Sequence, residues 1–303
     1  MVKIIGVGLA CMDFLLQVPD MQQIQRGGEL QGFKTQGGGM AATAMVTVTR
    51  LGGQAELWTA LGQDPFAPQI VAGLEAEGVD MSQTIHLAEQ GSHVAFVLID
   101  AQNGNRTFWG TGGARKTRFL DYPTMPDLTR LDQADVVHVD GLCHQVAIQA
   151  LRYARERNIP TCGDIEYLDG NELLLPLIDY LIVPEEMAIE VTGTADEAAL
   201  PVLAQHGAKM VVITLGERGA CYWQEGEVGH IPAFPVETVD TTGAGDVFHG
   251  AFVFGLAQGW ETRRLLTFAS AVAAMKCTQL GGRTGIPDLA SVEAFLMERE
   301  QNS

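Results

Sequence analysis

Short apolar runs recur along the chain and alternate with longer stretches of helical periodicity. The runs Lys3–Leu9, Ala55–Leu61, Asp135–Val139, Thr161–Ile165, Tyr180–Val183, Met210–Leu215 and Ala220–Trp223 read as strands. Helical patterning occupies Met40–Arg50, Pro68–Glu77, Val146–Glu156, Asp246–Ala257, Arg263–Thr278 and Ser291–Glu300. Such alternation predicts parallel βαβ units. Right-handed crossovers place helices on both faces of the sheet, so the expected fold is a three-layer α/β/α sandwich around a mostly parallel sheet. Residues 13–35 and 92–112 break the rhythm with β-rich hairpin patterning, and Asn103-Gly104 falls where a tight turn belongs. Both segments are expected to project from the sheet edge as a small β lid. A lid over a strand-end crevice is a place for a substrate. No repeat, low-complexity stretch or linker interrupts the sequence, so one domain over residues 1–303 is expected.

Composition narrows the function. Of 303 residues 47% are hydrophobic, enough for a sizeable core. Lys and Arg number 19 against 37 Asp and Glu, a formal charge of −18. That surface repels nucleic acid and anionic membranes, and neither is expected as a partner. An anionic ligand would need local dipoles and a few placed cations. The start Met-Val-Lys-Ile-Ile-Gly-Val-Gly runs straight into a strand and lacks the apolar core and cleavage site of a signal peptide. No apolar run reaches the roughly 18 residues that span a bilayer. Cys11, Cys143, Cys162, Cys221 and Cys277 are scattered without ligand spacing, so reduced, buried thiols and a cytoplasmic location are expected.

Residues 240–252 read Asp-Thr-Thr-Gly-Ala-Gly-Asp-Val-Phe-His-Gly-Ala-Phe. Gly243, Ala244 and Gly245 carry little or no side chain, so a ligand can approach their backbone. They lead into an apolar helix, and their N–H groups are unpaired donors at its positive end, which makes an anion hole. Asp246 lies in the first turn beside that hole. Its carboxylate can take a proton from an alcohol while the N–H groups stabilise a phosphoryl group in transfer. Taken without its surroundings, a Gly-rich turn favours reading Asp246 as no more than the cap of a buried helix.

The full string closely resembles the C-terminal signature of the ribokinase-like (PfkB) family of carbohydrate kinases, and the resemblance runs along the whole chain. It implies that Asp246 is the catalytic base and that Gly243, Ala244 and Gly245 surround the transferring phosphate. Asp13, after Gly8, matches the aspartate with which the family binds sugar hydroxyls. Gly37-Gly38-Gly39-Met40-Ala41-Ala42-Thr43-Ala44 resembles the first signature, which implies sugar contacts at Gly38, Gly39 and Thr43. Thr214-Leu215-Gly216-Glu217-Arg218-Gly219 resembles the nucleotide turn, with Thr214, Gly216 and Gly219 beside ATP. The loop at Gly281-Gly282-Arg283 is similar to the one beside the adenine. In several relatives Asp240, Thr242 and this loop hold a monovalent cation, so K⁺ joins ATP and Mg²⁺ among the implied cofactors.

Three departures stand out. Thr43 replaces the usual Asn, so the sugar contact must differ. The family's Asn-x-x-Glu, which organises water around Mg²⁺, becomes Pro184-Glu185-Glu186-Met187, where Glu185 or Glu186 would have to substitute. Asp164-Ile165-Glu166 stands where many relatives have Asp-x-Asn, and either extra acid for Mg²⁺ or plain surface charge accounts for it. The scaffold looks most like the sulfofructose kinase branch but lacks its expected sulfonate-reading side chains. Arg106, Arg115 and Lys116 remain as cations for a phosphate or carboxylate, Arg106 being the one placed at the substrate. His249, three residues after Asp246, is expected to be a core histidine rather than a second base. The implied activity is ATP-dependent phosphorylation of a hydroxymethyl group on a small, ketohexose-like sugar. The alternatives are a nucleoside kinase, with Phe33, Phe96, Phe108 and Trp109 stacking a base, and a non-catalytic sugar or nucleotide sensor. A two-stranded lid is poorly stable alone, so a homodimer through the lid is expected.

Overall fold

The computed structural model describes residues 1–102, 106–111 and 122–301. In chain order the first half forms β1 (Lys3–Val7), β2 (Cys11–Val18), β3 (Gly32–Gly38), α1 (Met40–Arg50), β4 (Gln54–Trp58), β5 (Ala60–Gly62), α2 (Ala67–Ala76), β6 (Val79–Asp80), β7 (Ile85–Leu87), β8 (His93–Asp100) and β9 (Arg106–Gly110). There follow β10 (Val136–Val139), α3 (His144–Glu156), β11 (Thr161–Asp164), β12 (Tyr180–Pro184), α4 (Glu185–Thr192), α5 (Ala199–Ala204), β13 (Met210–Thr214), β14 (Ala220–Gln224), β15 (Glu227–Ile231), α6 (Ala244–Ala257), α7 (Thr262–Lys276) and α8 (Leu289–Gln301).

The central sheet has the order β15-β14-β13-β12-β11-β10-β1-β4-β6. It is parallel from β13 to β6 and antiparallel at β14 and β15. Its strands are apolar on both faces, as a sheet covered twice requires. Ile4, Val136, Ile182 and Val212 point into one core with α1, α6, α7 and α8. Their neighbours Ile5, Val137, Leu181 and Val211 point into the other with α3, α4 and α5. The three layers thus follow from the period of two along each strand.

The two lid segments were expected as hairpins, and each is antiparallel: β2 with β3 and β8 with β9. They are also joined, because β2 and β8 pair in parallel from Cys11↔His93 to Val18↔Asp100. The lid is therefore one sheet, ordered β3-β2-β8-β9. The Asn103-Gly104 turn, Arg115 and Lys116 lie outside the described residues.

Other boundaries moved for physical reasons. The run Ala55–Leu61 splits near Thr59, since β5 leaves the central sheet to pair with β7. The helix read from Asp246 begins two residues earlier, at Ala244, because Gly243 closes the turn before it with φ 73°. Helices α4 and α5 are too short, at 8 and 6 residues, to show a period.

Candidate active site

The N-terminus of α6 opens where the strand ends meet the lid. Gly243 is its N-cap, and a Cβ there would sit 3.1 Å from the Gly282 carbonyl oxygen at a φ that side chains resist. Ala244 is corrected as a donor: its N–H is taken by the Thr241 carbonyl at 3.1 Å. The N–H groups of Gly243, Gly245 and Asp246 find no acceptor among the described residues. The hole therefore consists of two glycine donors and that of Asp246 itself.

The loop before α6 is strongly pinned. Asp240 Oδ1 accepts from the Thr242 N–H and hydroxyl at 2.9 and 2.7 Å, and Oδ2 from the Gly281 N–H at 2.8 Å. Arg106 reaches down from β9 to Asp240 Oδ1 at 2.8 Å and the Thr241 hydroxyl at 2.6 Å. The Val239 and Asp240 N–H groups donate to the Cys277 carbonyl. Lys276 Nζ donates to the Asp240 carbonyl at 2.8 Å. Arg106, expected at the substrate, is thus engaged with the anion-hole loop.

Asp246 is half-buried and shares its surroundings with other acids. Burial and the nearby Asp164 and Glu166 carboxylates push its carboxyl up to about 8. Asp164 ends β11, Glu166 follows two residues on, and Asp140 follows β10; each is pushed up to about 7, chiefly by burial. All stand at the C-terminal ends of parallel strands, where open α/β sheets collect ligands. His249 Nε2 lies 3.1 Å from Asp164 Oδ1, and burial drives its imidazole down to about 3, so the neutral ring orients Asp164. It is a core histidine, buried at 3% exposure. Glu185 and Glu186 diverge: Glu185 pairs with Arg218, while exposed Glu186 adds its charge near Glu166.

On the lid side, Asp13 is buried at the base of β2, and its Oδ1 accepts from the Cys11 thiol at 3.2 Å. A Cβ on Gly38 would overlap the Asp13 carboxylate, which therefore lies flat on the β3 backbone. The sequence reading missed Arg283, placing its loop by the adenine. Its Nε donates to the Thr43 hydroxyl at 3.1 Å and its Nη2 to the Gly38 carbonyl at 2.8 Å. The guanidinium lies close enough to Asp13 for its charge to favour the ionised carboxylate against burial. Asp140 ties the pocket floor together, accepting from the N–H groups of Leu9, Ala41 and Leu142 at 2.7, 3.1 and 3.0 Å.

On the other side of α6 runs a cleft of about 730 Å³. Thr214, Gly216, Gly219, Phe234, Gly245 and Ala274 are among the residues that line it. Its walls are small or apolar, as a flat heteroaromatic base requires, and its size is that of a ligand pocket. Gly281 lies away from these walls, with its N–H held by Asp240.

A parallel sheet, a lid and a glycine-rich helix N-terminus with a carboxylate beside a cleft are the parts with which an α/β phosphoryl-transfer enzyme works. The comparisons agree. Residues 1–289 match the pfkB family of carbohydrate kinases, and the chain belongs to that family. It is 28% identical to the ribokinase of Bacillus subtilis over 87% of this chain and 89% of that one. It is also 28% identical to a bifunctional ribokinase/ribose-5-phosphate isomerase A of Fructilactobacillus sanfranciscensis, covering 95% of this chain and 55% of that protein, so it spans about half of that relative. A nucleoside kinase of Methanothermobacter thermautotrophicus is 25% identical over 94% of this chain and 92% of its own. A solved ribokinase candidate from Agrobacterium tumefaciens superposes with a TM-score of 0.91 at 28% identity, covering 99% of each chain. The chain is an ATP-dependent sugar or nucleoside kinase of the ribokinase type.

Proposed function

We propose that this kinase phosphorylates a hydroxymethyl group of a small, ketohexose-like sugar or sugar derivative. The observation that carries the reading is the position of α6. Gly245 lines the nucleotide cleft, while Asp246, one residue on, stands within electrostatic reach of Arg283 and Cys11 in the sugar pocket. A carboxylate between a nucleotide and an alcohol is placed to take the alcohol proton as phosphorus is attacked.

In this reading Asp13, Gly38, Gly39 and Thr43 hold the sugar, joined by Arg283. Thr214, Gly216 and Gly219 flank the nucleotide. The N–H groups of Gly243 and Gly245 meet the equatorial oxygens of the transferring group, and Ala244 supports them through Thr241. Arg106 acts on the loop instead of on the sugar, latching β9 of the lid to Asp240. Asp164 and Glu166, with Glu186 nearby, offer the hard carboxylate oxygens that suit Mg²⁺, which neutralises phosphate charge when bound. Glu185, paired with Arg218, steadies the nucleotide turn. The exposed faces of Phe33 and Trp109 on the lid suit contact with a second copy, giving a homodimer. Among the described residues no helix is long and apolar enough to cross a membrane, which accords with a cytoplasmic enzyme.

The test is ADP release from Mg·ATP over ketohexoses, ribose, sugar acids, sugar phosphates, sulfofructose and nucleosides. One strong sugar hit, lost by about 10²-fold or more in Asp246→Asn with the fold intact, is expected. A nucleoside hit would transfer the pocket to a base stacked on Phe14 or Phe96, whose rings already stack at 5.3 Å. Silence across the panel with ADP still bound would favour a sensor.

A further inference from the structure

The anion-hole loop is held by a charge that the reaction scheme above does not use. Lys276, the last residue of α7, is fully buried at 0% exposure, and Nζ donates to the Asp240 carbonyl at 2.8 Å. Removing an ammonium from water is costly unless negative charge meets it. Burial holds the Lys276 ammonium below the usual lysine range, and the Asp240 carboxylate opposes that shift by adding its field to that of its own carbonyl. Two chain segments close around this point. The Cys277 carbonyl accepts from Val239 and Asp240, and Gly281 N–H donates to Asp240 Oδ2. The next turn is Thr242–Gly243, which aims the donors of α6.

A carbonyl, a carboxylate and two converging loops make the surroundings of a bound cation. A K⁺ ion would need a shell of free oxygen acceptors at Asp240 and Thr242. At Asp240 every oxygen is already engaged, the carboxylate by Thr242, Gly281 and Arg106 and the carbonyl by Lys276, so two cationic side chains already meet that residue. The residues do not fit K⁺.

We propose that Lys276 is a built-in cation that fixes the anion-hole loop, so that nucleotide binding and phosphoryl transfer need no monovalent ion. Lys276 is a positioning residue: it touches Asp240, and Asp240 sets the turn from which the Gly243 and Gly245 N–H groups project. A covalently tethered ammonium is present at every salt concentration, whereas a bound ion is present only above its dissociation constant. The inference rests on the kinase reading, and its test is chosen to separate the two.

Mg·ADP binding is measured by calorimetry in tetramethylammonium chloride and in potassium chloride at equal ionic strength, for the wild type and Lys276→Met. The wild type is expected to bind with the same Kd, within about twofold, in both salts. Lys276→Met, which keeps the apolar stem but ends short of Nζ and loses the charge, should bind about tenfold more weakly in tetramethylammonium. Potassium or ammonium should restore part of that loss by entering the emptied position. A wild type that binds only in potassium would overturn the inference while leaving the kinase reading intact. A folded Lys276→Met that keeps wild-type affinity, or loses it without rescue by either ion, would reduce Lys276 to a packing residue and overturn it too. Absence of Mg·ADP binding by the wild type in both salts would instead sink the kinase reading. Should Lys276→Met fail to fold by circular dichroism, the two wild-type titrations still decide the matter.

Discussion

At the scale of single residues, the proposed chemistry turns on a carboxyl whose neighbours resist its ionisation. Asp246 is pushed up to about 8 by burial and by Asp164 and Glu166, so in the free enzyme much of it carries a proton at neutral pH. A general base must be ionised, so kcat/KM should rise with pH through about 8 and level off only beyond it. The acids interact, so the profile reports the cluster and not one residue. A kcat/KM that is flat from about pH 6 to about pH 9 would exclude Asp246 as the base. Arg283 and Thr43 form the second residue-scale device. Arg283→Gln removes the cation beside Asp13 and shortens its reach to Gly38 and Thr43, and KM for the sugar should rise about tenfold while KM for ATP stays unchanged. A matching rise in both constants would place Arg283 outside the sugar pocket.

At the scale of elements, the site depends on contacts between pieces far apart in sequence. Arg106 from β9 latches the lid to the loop before α6 through an ion pair whose Arg end is partly exposed and whose Asp240 end is buried. Arg106→Ala should therefore loosen the lid without unfolding it. The expected result is a KM for sugar raised about three- to tenfold, with Tm nearly constant. Asp140, past β10, serves α1 instead of its own strand. It accepts at both oxygens from Leu9, Ala41 and Leu142, which satisfies a helix start that has no side-chain cap of its own. Asn has one acceptor oxygen, so Asp140→Asn should cost about 1–3 kcal/mol, read from urea unfolding.

At the scale of the molecule, the clustered acids set how stability varies with pH. Asp140, Asp164 and Glu166 titrate near 7 and Asp246 near 8 when folded, against about 4 for unfolded carboxyls. The folded chain binds these protons more tightly, so their contribution is present in acid and is lost as pH rises through 7 to 8. His249 has the opposite sign: its folded value of about 3 lies below the unfolded 6.5, and its effect is complete by about pH 6.5. Above that pH the acids act alone. The Tm of the ligand-free protein should fall between about pH 6.5 and 8.5, and Mg·ADP should flatten the fall by bringing positive charge to the carboxylates. A Tm that rises over this range would show that the cluster is not strained by its own charge.

The alternation of short apolar runs with helical periods determined the layered α/β order, because each strand and helix declares its buried face locally. The string Asp240–Phe252 likewise announced a helix start able to hold an anion, since glycine and N-terminal N–H groups act within a few residues. Register between distant strands decided the rest. The parallel pairing of β2 with β8 made one lid of two hairpins, and no local pattern encodes which strand a strand will meet. Arg283 came to lie on Thr43 and Gly38, and Arg106 on Asp240 and Thr241, because long side chains find partners more than a hundred residues away. Lys276 reads in sequence as a basic residue ending a helix, and only the packing of α7 against the Asp240 loop turned it into a buried charge.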